Sequence, residues 1–174
     1  LQTDVLVTTG LPLYAVSMSK KAAVATTPES VSVFKEQLAT YKEVIDTDIA
    51  SYVVSLQSQT AEQFGDNSKR AVNAYTEILS RGGKRIRGAL SMLAYTTFGG
   101  NDEEVAITAA RAIEMVQAYL LITDDIADRS ASRRGGPSAH ELLKSWHKKN
   151  HLKDDSKHFG ESIAMNAAMM GGHA

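Results

Sequence analysis

The sequence predicts an all-α protein, and three observations support that fold class. The chain of 174 residues contains only 3 Pro and is rich in Ala, Leu, Lys and Glu, which are residues that favour helices. Apolar residues recur at intervals of three and four along several segments, as they do on one face of a helix. No run of alternating apolar and polar residues is long enough to predict a strand.

The first predicted helix begins after Thr27, which can act as an N-cap, with Pro28 at the first helical position and Glu29 in the first turn. Its predicted apolar face consists of Val31, Phe34, Leu38, Tyr41, Val44 and Ile45. A second helix is predicted from a cap at Asp66 or Asn67 to the break at Gly82-Gly83.

Four further helices follow. Residues 86–97 form an apolar segment closed by Gly99-Gly100, and Asn101 with Glu104 resembles a capping box that opens a long apolar helix to about residue 128. Ser138 with Glu141 resembles another capping box, for a helix through Trp146. The last apolar stripe lies between residue 158 and the C-terminus.

Composition restricts both the architecture and the function. Hydrophobic residues make up 43% of the chain and charged residues 22%, as in a single globular domain. Because 19 Lys+Arg balance 20 Asp+Glu, the chain lacks the basic excess of a general nucleic-acid binder. The count of 0 Cys excludes disulfides, thiolate zinc sites and a cysteine nucleophile, and fits a cytoplasmic location. No uninterrupted apolar stretch approaches the length that predicts a transmembrane segment.

The two ends of the chain differ from the middle. The charges of the opening segment follow its apolar part, which is the reverse of a secretory signal, and we expect residues 1–28 to be a disordered or non-native leader. The domain is then expected over residues 29–174. Its last apolar helix reaches Ala174 without polar flanks, which predicts that packing partners lie in missing sequence.

The strongest chemical pattern is the acidic cluster DDIAD at the end of the long helix. Asp124 and Asp128 are four residues apart, so their carboxylates share one helix face, where they repel each other and oppose the helix dipole. Mg²⁺ would compensate both effects, since it prefers carboxylate oxygens and bridges to phosphates. The spacing alone fits either a metal site or a solvated acidic helix end.

Two basic segments accompany the acidic cluster. Arg133 and Arg134 precede Gly135-Gly136, and paired guanidinium groups can bind phosphate oxygens in a bidentate manner. In GGKRIR, Lys84 and Arg87 share a face at the start of a helix, where free amides also favour an anion. Each segment by itself would equally fit a basic surface turn.

Taken together, GGKRIR and ITDDIADRSASRRGGPSAHE resemble the trans-type polyprenyl diphosphate synthases. The order and spacing of both segments agree with that family over about residues 30–174, the N-terminal half of such an enzyme. The resemblance implies a helical bundle of the isoprenoid synthase type, here incomplete at the C-terminus, and usually a homodimer. It also implies Mg²⁺-dependent joining of an allylic diphosphate to isopentenyl diphosphate.

The resemblance also implies roles for individual residues. Asp124 and Asp128 would hold the Mg²⁺ ions that bind the allylic diphosphate, with Asp125 in support, and Arg133 would contact the same substrate. The residues implied for isopentenyl diphosphate are Lys84, Arg87 and Arg134, together with Gln117, which stands where the family often has His.

Product length is predicted from the residues before the acidic cluster. Tyr119 is large and Leu120 is of medium size, five and four positions before Asp124. This combination is similar to the geranylgeranyl (C20) pattern, whereas two aromatic residues would indicate a farnesyl (C15) product, which stays possible.

Three functions remain open at this point. Because the family's second Asp-rich motif and its Lys-Thr and Phe-Gln elements are not in this chain, we expect a prenyltransferase that is inactive in this form alone. The alternatives are a non-catalytic diphosphate-binding or regulatory subunit of a synthase and a class I terpene cyclase. A cyclase shares the DDxxD pattern but is not expected to carry GGKRIR.

Overall fold

The computed structural model describes residues 28–172, which form a bundle of helices with one short hairpin. The predicted leader therefore lies outside the described residues except for Pro28. The elements are α1 (Pro28–Ser80), α2 (Ile86–Thr97), α3 (Glu103–Ala127), β1 (Ser132–Arg133), β2 (Gly136–Pro137), α4 (Ala139–Lys149) and α5 (Ser156–Gly172). The predicted all-α fold class is confirmed.

Helix α1 contains the two helices predicted before Gly82-Gly83, which are joined across a kink. The chain bends at Gly65, where φ is 78° and ψ is −179°, a conformation that glycine adopts without steric cost. The predicted apolar face is wrong at its start, since Val31 and Phe34 are exposed. The core contacts α1 from Leu38 onward, and its first fully buried residue is Ile45.

Helix α3 is the centre of the bundle. It packs against α1, α2 and α5, and small residues such as Ala110 and Ala118 are buried along it, so the neighbouring helices can approach closely. Its N-cap is Asp102, whose carboxylate accepts a hydrogen bond from the amide of Val105 at 3.1 Å. The capping box predicted at Asn101 is therefore displaced by one residue, because Asp102 reaches the third helical amide.

The same helix meets the length and composition of a membrane span, so the absence of a transmembrane segment stays a prediction. A single helix of this kind is weak evidence, since the core helix of a soluble protein meets the same criteria. Glu114, in the middle of α3, forms an ion pair with Arg85.

The C-terminal helices pair closely with each other. Helix α4 begins after Ser138 as predicted, but the Ser138 hydroxyl lies 3.4 Å from the Nε2 atom of His140 and does not cap the helix. Helix α5 packs on α3 and α4 with Ala164 and Ala168 buried. This arrangement places the end of α3, the hairpin and the start of α4 next to one another in the chain and in space.

Candidate functional site

The three aspartates of DDIAD lie in different surroundings at the end of α3. The side chain of Asp124 is 62% exposed, and Asp128, the C-cap residue, is also exposed. Asp125, next to Asp124 in the chain, is fully buried. Two carboxylates one turn apart are therefore available to solvent, and the middle one belongs to the protein interior.

Arg133 is the partner of the buried aspartate. Its Nε atom donates to Oδ1 of Asp125 at 2.8 Å, and its Nη2 atom contacts the same oxygen, while Nη2 lies 3.9 Å from Oδ2 of Asp124. The hydrogen bond to Asp125 raises the pKa of Arg133 further, despite partial burial. The other oxygen of Asp125 is buried and has no hydrogen-bond partner in the described part of the chain.

The hairpin that carries Arg133 is tight. Ser132 pairs with Pro137 and Arg133 with Gly136, which leaves only Arg134 and Gly135 in the turn. Both have positive φ, 51° and 78°, the geometry of a two-residue type I′ turn. Arg134 and Gly135 therefore form the turn, while Gly136 belongs to β2.

Arg134 connects this hairpin to GGKRIR. Its Nη1 atom donates to the carbonyl of Ile78 at 3.2 Å, and a Cβ atom at Gly83 would lie only 3.1 Å from its Nη2 atom. Burial, followed by the charge of nearby Arg85, lowers the pKa of Arg134. The two basic segments, 50 residues apart in the chain, therefore meet at the end of α1.

Sequence reasoning missed Arg85, which anchors GGKRIR. Arg85 is buried and has a positive φ of 48°. It donates to Asp46 at 2.8 Å, to the carbonyl of Leu79 at 2.8 Å and to Glu114 at 3.3 Å. Glu114 in turn accepts from the amide of Gly88 at 3.1 Å. Although burial opposes it, hydrogen bonds from Lys42 and Arg85 hold the pKa of Asp46 below its usual value.

The cations that flank Arg85 face solvent. Lys84 and Arg87 are both exposed. The segment therefore has one buried arginine, Arg85, and two cations that are accessible to solvent. Arg87, Gln117 and Leu120 line an open cavity of about 310 Å³ between α2 and α3, together with Ala112, Ile113 and Val116. The structure thus brings together residues that the sequence assigned separately to substrate binding and to product length.

Tyr119 and Leu120 do not share a surface. Leu120 is half exposed in the open cavity, whereas Tyr119 lies against α5, where a Cβ atom at Gly172 would be 3.0 Å from the Cβ atom of Tyr119. Of the two, Leu120 is on the side of α3 that Asp124 occupies.

The donor set at the end of α3 fits Mg²⁺ bound with a substrate. In the described residues 28–172 there is no group of three His, Cys, Asp or Glu side chains that could hold a metal by themselves. Asp124 and Asp128 offer two exposed carboxylates one turn apart. Mg²⁺ commonly binds through one or two carboxylates and completes its shell with water and phosphate oxygens.

Comparison with known proteins identifies the family. The sequence profile described as polyprenyl synthetase matches residues 68–171, a range that contains GGKRIR, DDIAD and RRGGP. The chain belongs to the polyprenyl synthetase family. The resemblance seen in the two motifs is thereby confirmed, and so is the isoprenoid synthase type of helical fold.

Individual members of the polyprenyl synthetase family agree with this assignment. The chain is 36% identical over 96 residues to a short chain isoprenyl diphosphate synthase of Methanocaldococcus jannaschii, and 33% identical over 105 residues to a geranylgeranyl diphosphate synthase of Saccharolobus solfataricus. These matches cover 55% and 60% of this chain.

A solved structure has the same arrangement. The crystal structure of geranylgeranyl pyrophosphate synthase from Corynebacterium glutamicum, complexed with isoprenyl diphosphate and magnesium, matches 77% of this chain with a TM-score of 0.69 and 31% identity. The match covers 39% of that protein, and the two relatives are covered over 25% and 31%. The chain therefore spans about a quarter to two fifths of the length of these proteins.

Proposed function

We propose that the chain supplies binding groups for both diphosphates in a short-chain trans-prenyltransferase that joins an allylic diphosphate to isopentenyl diphosphate. One observation carries this proposal: the exposed aspartates of DDIAD, the arginine hairpin and the GGKRIR cations are assembled at one end of the bundle. The family assignment and the names of the relatives support it, since these are synthases of isoprenyl diphosphates.

The reaction needs a diphosphate to leave with an electron pair. The allylic carbon–oxygen bond breaks, the double bond of isopentenyl diphosphate attacks the allylic carbon, and loss of a proton restores an alkene. Asp124 and Asp128 would hold Mg²⁺, which when bound supplies neutralisation of charge on the departing diphosphate. Arg133 would add a guanidinium donor on the same side, while Asp125 holds Arg133 in place.

The second substrate has its own cations. Lys84, Arg87 and Arg134 would bind the isopentenyl diphosphate, and Gln117 would donate an amide hydrogen bond where it lines the cavity with Arg87. Holding both substrates at fixed positions lowers the entropic barrier to their reaction. The chain's own contribution is thus orientation and charge, while the apolar walls of the cavity accommodate the growing tail.

The finer assignments are part of the same proposal. A C20 product is favoured, with C15 possible, from the size of Tyr119 and Leu120; the exposure of Leu120 in the open cavity supports a role for this residue in tail length. We further propose that the complete enzyme is a cytoplasmic homodimer and that this chain is inactive alone. The absence of Cys from the chain is consistent with the cytoplasmic location.

Calorimetric titration tests the binding half of the proposal. The chain is titrated with inorganic diphosphate and with geranyl diphosphate, each with and without Mg²⁺. We expect binding that requires Mg²⁺ and that falls at least about tenfold in Asp124→Asn and in Asp128→Asn, since a carboxylate ligand is lost. The matched control is Glu103→Gln with Glu104→Gln, which removes two exposed acids at the opposite end of α3 and should leave binding unchanged.

An assay of prenyl transfer to isopentenyl diphosphate tests the catalytic half. It is run with this chain alone and with this chain mixed with the remaining part of a family member. We expect prenyl transfer only in the mixture. Stimulation of a complete synthase by a chain that binds no diphosphate would instead identify a regulatory subunit, and release of a cyclic hydrocarbon from one prenyl diphosphate would identify a cyclase.

A further inference from the structure

Arg81 joins the end of α1 to both strands of the hairpin. Its Nη1 atom donates to the carbonyl oxygen of Arg133 at 2.9 Å and to that of Pro137 at 2.7 Å. One of these carbonyls is on β1 and the other on β2, so a single guanidinium nitrogen bridges the two strands. The Arg81 side chain is only 13% exposed, the bond to Arg133 is partly buried, and the bond to Pro137 is open to solvent.

The hairpin is shaped to receive this guanidinium. A Cβ atom at Gly136 would lie 2.6 Å from the Cζ atom of Arg81, so the guanidinium lies directly against the backbone of Gly136. On its other side, Nε and Nη2 of Arg81 donate to one carboxylate oxygen of Glu77 at 3.3 and 3.2 Å. Glu77 therefore helps to orient the guanidinium toward the hairpin.

Arg81 has almost no donor left for a substrate. An arginine has five N–H donors, and the bonds to Arg133, Pro137 and Glu77 occupy four of them. Arg81 therefore acts through the backbone of the hairpin and not by direct contact with a phosphate. Arg134, in the turn of the same hairpin, is held separately against Gly83.

We propose that Arg81 is a positioning residue that sets the placement of Arg133 and Arg134 for diphosphate binding. This inference rests on the proposed function, which assigns those two arginines to the substrates. A two-stranded hairpin is marginally stable by itself. The bridge from Arg81 bonds to both strands and adds to the bond between Arg134 and Ile78 in holding the hairpin against α1. Without the bridge the two guanidinium groups lose their fixed separation.

The first test is Arg81→Gln, measured by titration with Mg²⁺ and inorganic diphosphate and by amide hydrogen exchange. We expect diphosphate affinity to fall about tenfold, as is typical when the residues that orient a ligand's direct contacts are removed. We also expect faster exchange at the amide of Ser138, which bonds to the carbonyl of Ala131 at 3.1 Å beside the hairpin. A merely destabilising effect would speed exchange throughout the bundle.

Gly136→Ala provides a second, independent disturbance of the same contact. The added methyl group displaces the Arg81 guanidinium while leaving its charge in the protein, and we expect a similar loss of affinity. In the Arg81→Gln background the shorter glutamine frees that space, so Gly136→Ala should cause little further loss. Additive losses in the double variant would overturn the proposed contact.

Arg111→Gln is the matched control. Arg111 bonds to both carboxylate oxygens of Asp48 at 2.8 and 3.0 Å and lies over the ring of Tyr52, so it is a comparably engaged arginine away from the hairpin. It should leave diphosphate affinity and Ser138 exchange unchanged. Unchanged affinity in Arg81→Gln would overturn this inference alone, whereas a parent chain that binds no diphosphate with Mg²⁺ would overturn the proposed function and this inference together.

Discussion

The middle aspartate of DDIAD differs from the other two aspartates in its burial and in its ion pair. Asp125 is fully buried and forms a hydrogen-bonded ion pair with Arg133. Asp124 is mostly exposed, and its nearest carboxylate oxygen is 3.9 Å from the same guanidinium, beyond hydrogen-bond distance. A charged group in the interior needs a partner, since an unpaired one is costly. Removal of either member of the Asp125–Arg133 pair is therefore expected to destabilise the fold, while Asp124 and Asp128 are exposed to solvent.

Asp125→Asn should lower the free energy of unfolding by about 1–2 kcal/mol, because a charge-assisted hydrogen bond becomes a neutral one. Asp124→Asn should change it by less than about 0.5 kcal/mol, as for most exposed substitutions. Urea unfolding of both variants gives the comparison. Equal effects, or a larger loss for Asp124→Asn, would contradict the division of roles between these two residues.

Helices α4 and α5 approach each other closely at a glycine of α5. At Gly160 of α5, an added Cβ atom would collide with the carbonyl oxygen of His140 and lie 3.0 Å from the backbone nitrogen of Lys144. Both of these atoms belong to the backbone of α4 and cannot move aside as a flexible side chain would. The closeness of α4 and α5 therefore depends on the absence of a side chain at residue 160.

Gly160→Ala should destabilise the chain by about 1–2 kcal/mol, since overpacking separates α4 from α5. Helix propensity alone predicts the opposite sign, because alanine favours a helix over glycine by about 1 kcal/mol. The control is Asn166→Ala on the exposed side of α5, which should be neutral or slightly stabilising. Thermal unfolding of both variants decides between packing and propensity, and a stabilised Gly160→Ala would reject the close contact.

The whole bundle presents an apolar face to solvent beside the candidate site. Ile86 and Leu90 on α2, with Val116 and Leu120 on α3, are each more than two fifths exposed. Arg87 lines the open cavity with Leu120, and Leu90 follows Arg87 by one helical turn, so these residues adjoin. Contiguous exposed apolar surface of this kind is typical of an interaction site or of a protein that associates.

This chain should therefore self-associate when isolated, and Leu90→Gln combined with Leu120→Gln should shift it toward a single small species. Light scattering coupled to size-exclusion chromatography measures the change. Phe98→Gln, at a residue that is 87% exposed after the end of α2, is the control and should have little effect. A monodisperse parent chain with a sharp, cooperative melt would count against the prediction.

By itself, the sequence determined the helical fold class, the apolar stripes of α2 and α3 and the chemistry of the acidic and basic segments. These features depend on neighbours within a few turns, which periodicity and spacing reveal. The family resemblance likewise came from contiguous motifs. The N-terminal limit of the buried face on α1 and the cap of α3 were misplaced, because their position depends on packing and on single side-chain contacts.

Only the tertiary structure decided which charges of those motifs are exposed to solvent and which are paired inside the protein. In the sequence, Arg85 cannot be distinguished from Lys84 and Arg87, but in the structure it is paired with Asp46 and Glu114. Arg81 belongs to none of the motifs, yet it bonds to a residue 52 positions away. Burial and long-range pairing are properties of the assembled bundle. The sequence gives the charge of a residue. Whether that charge can bind a substrate or is already paired depends on which distant residues pack against it.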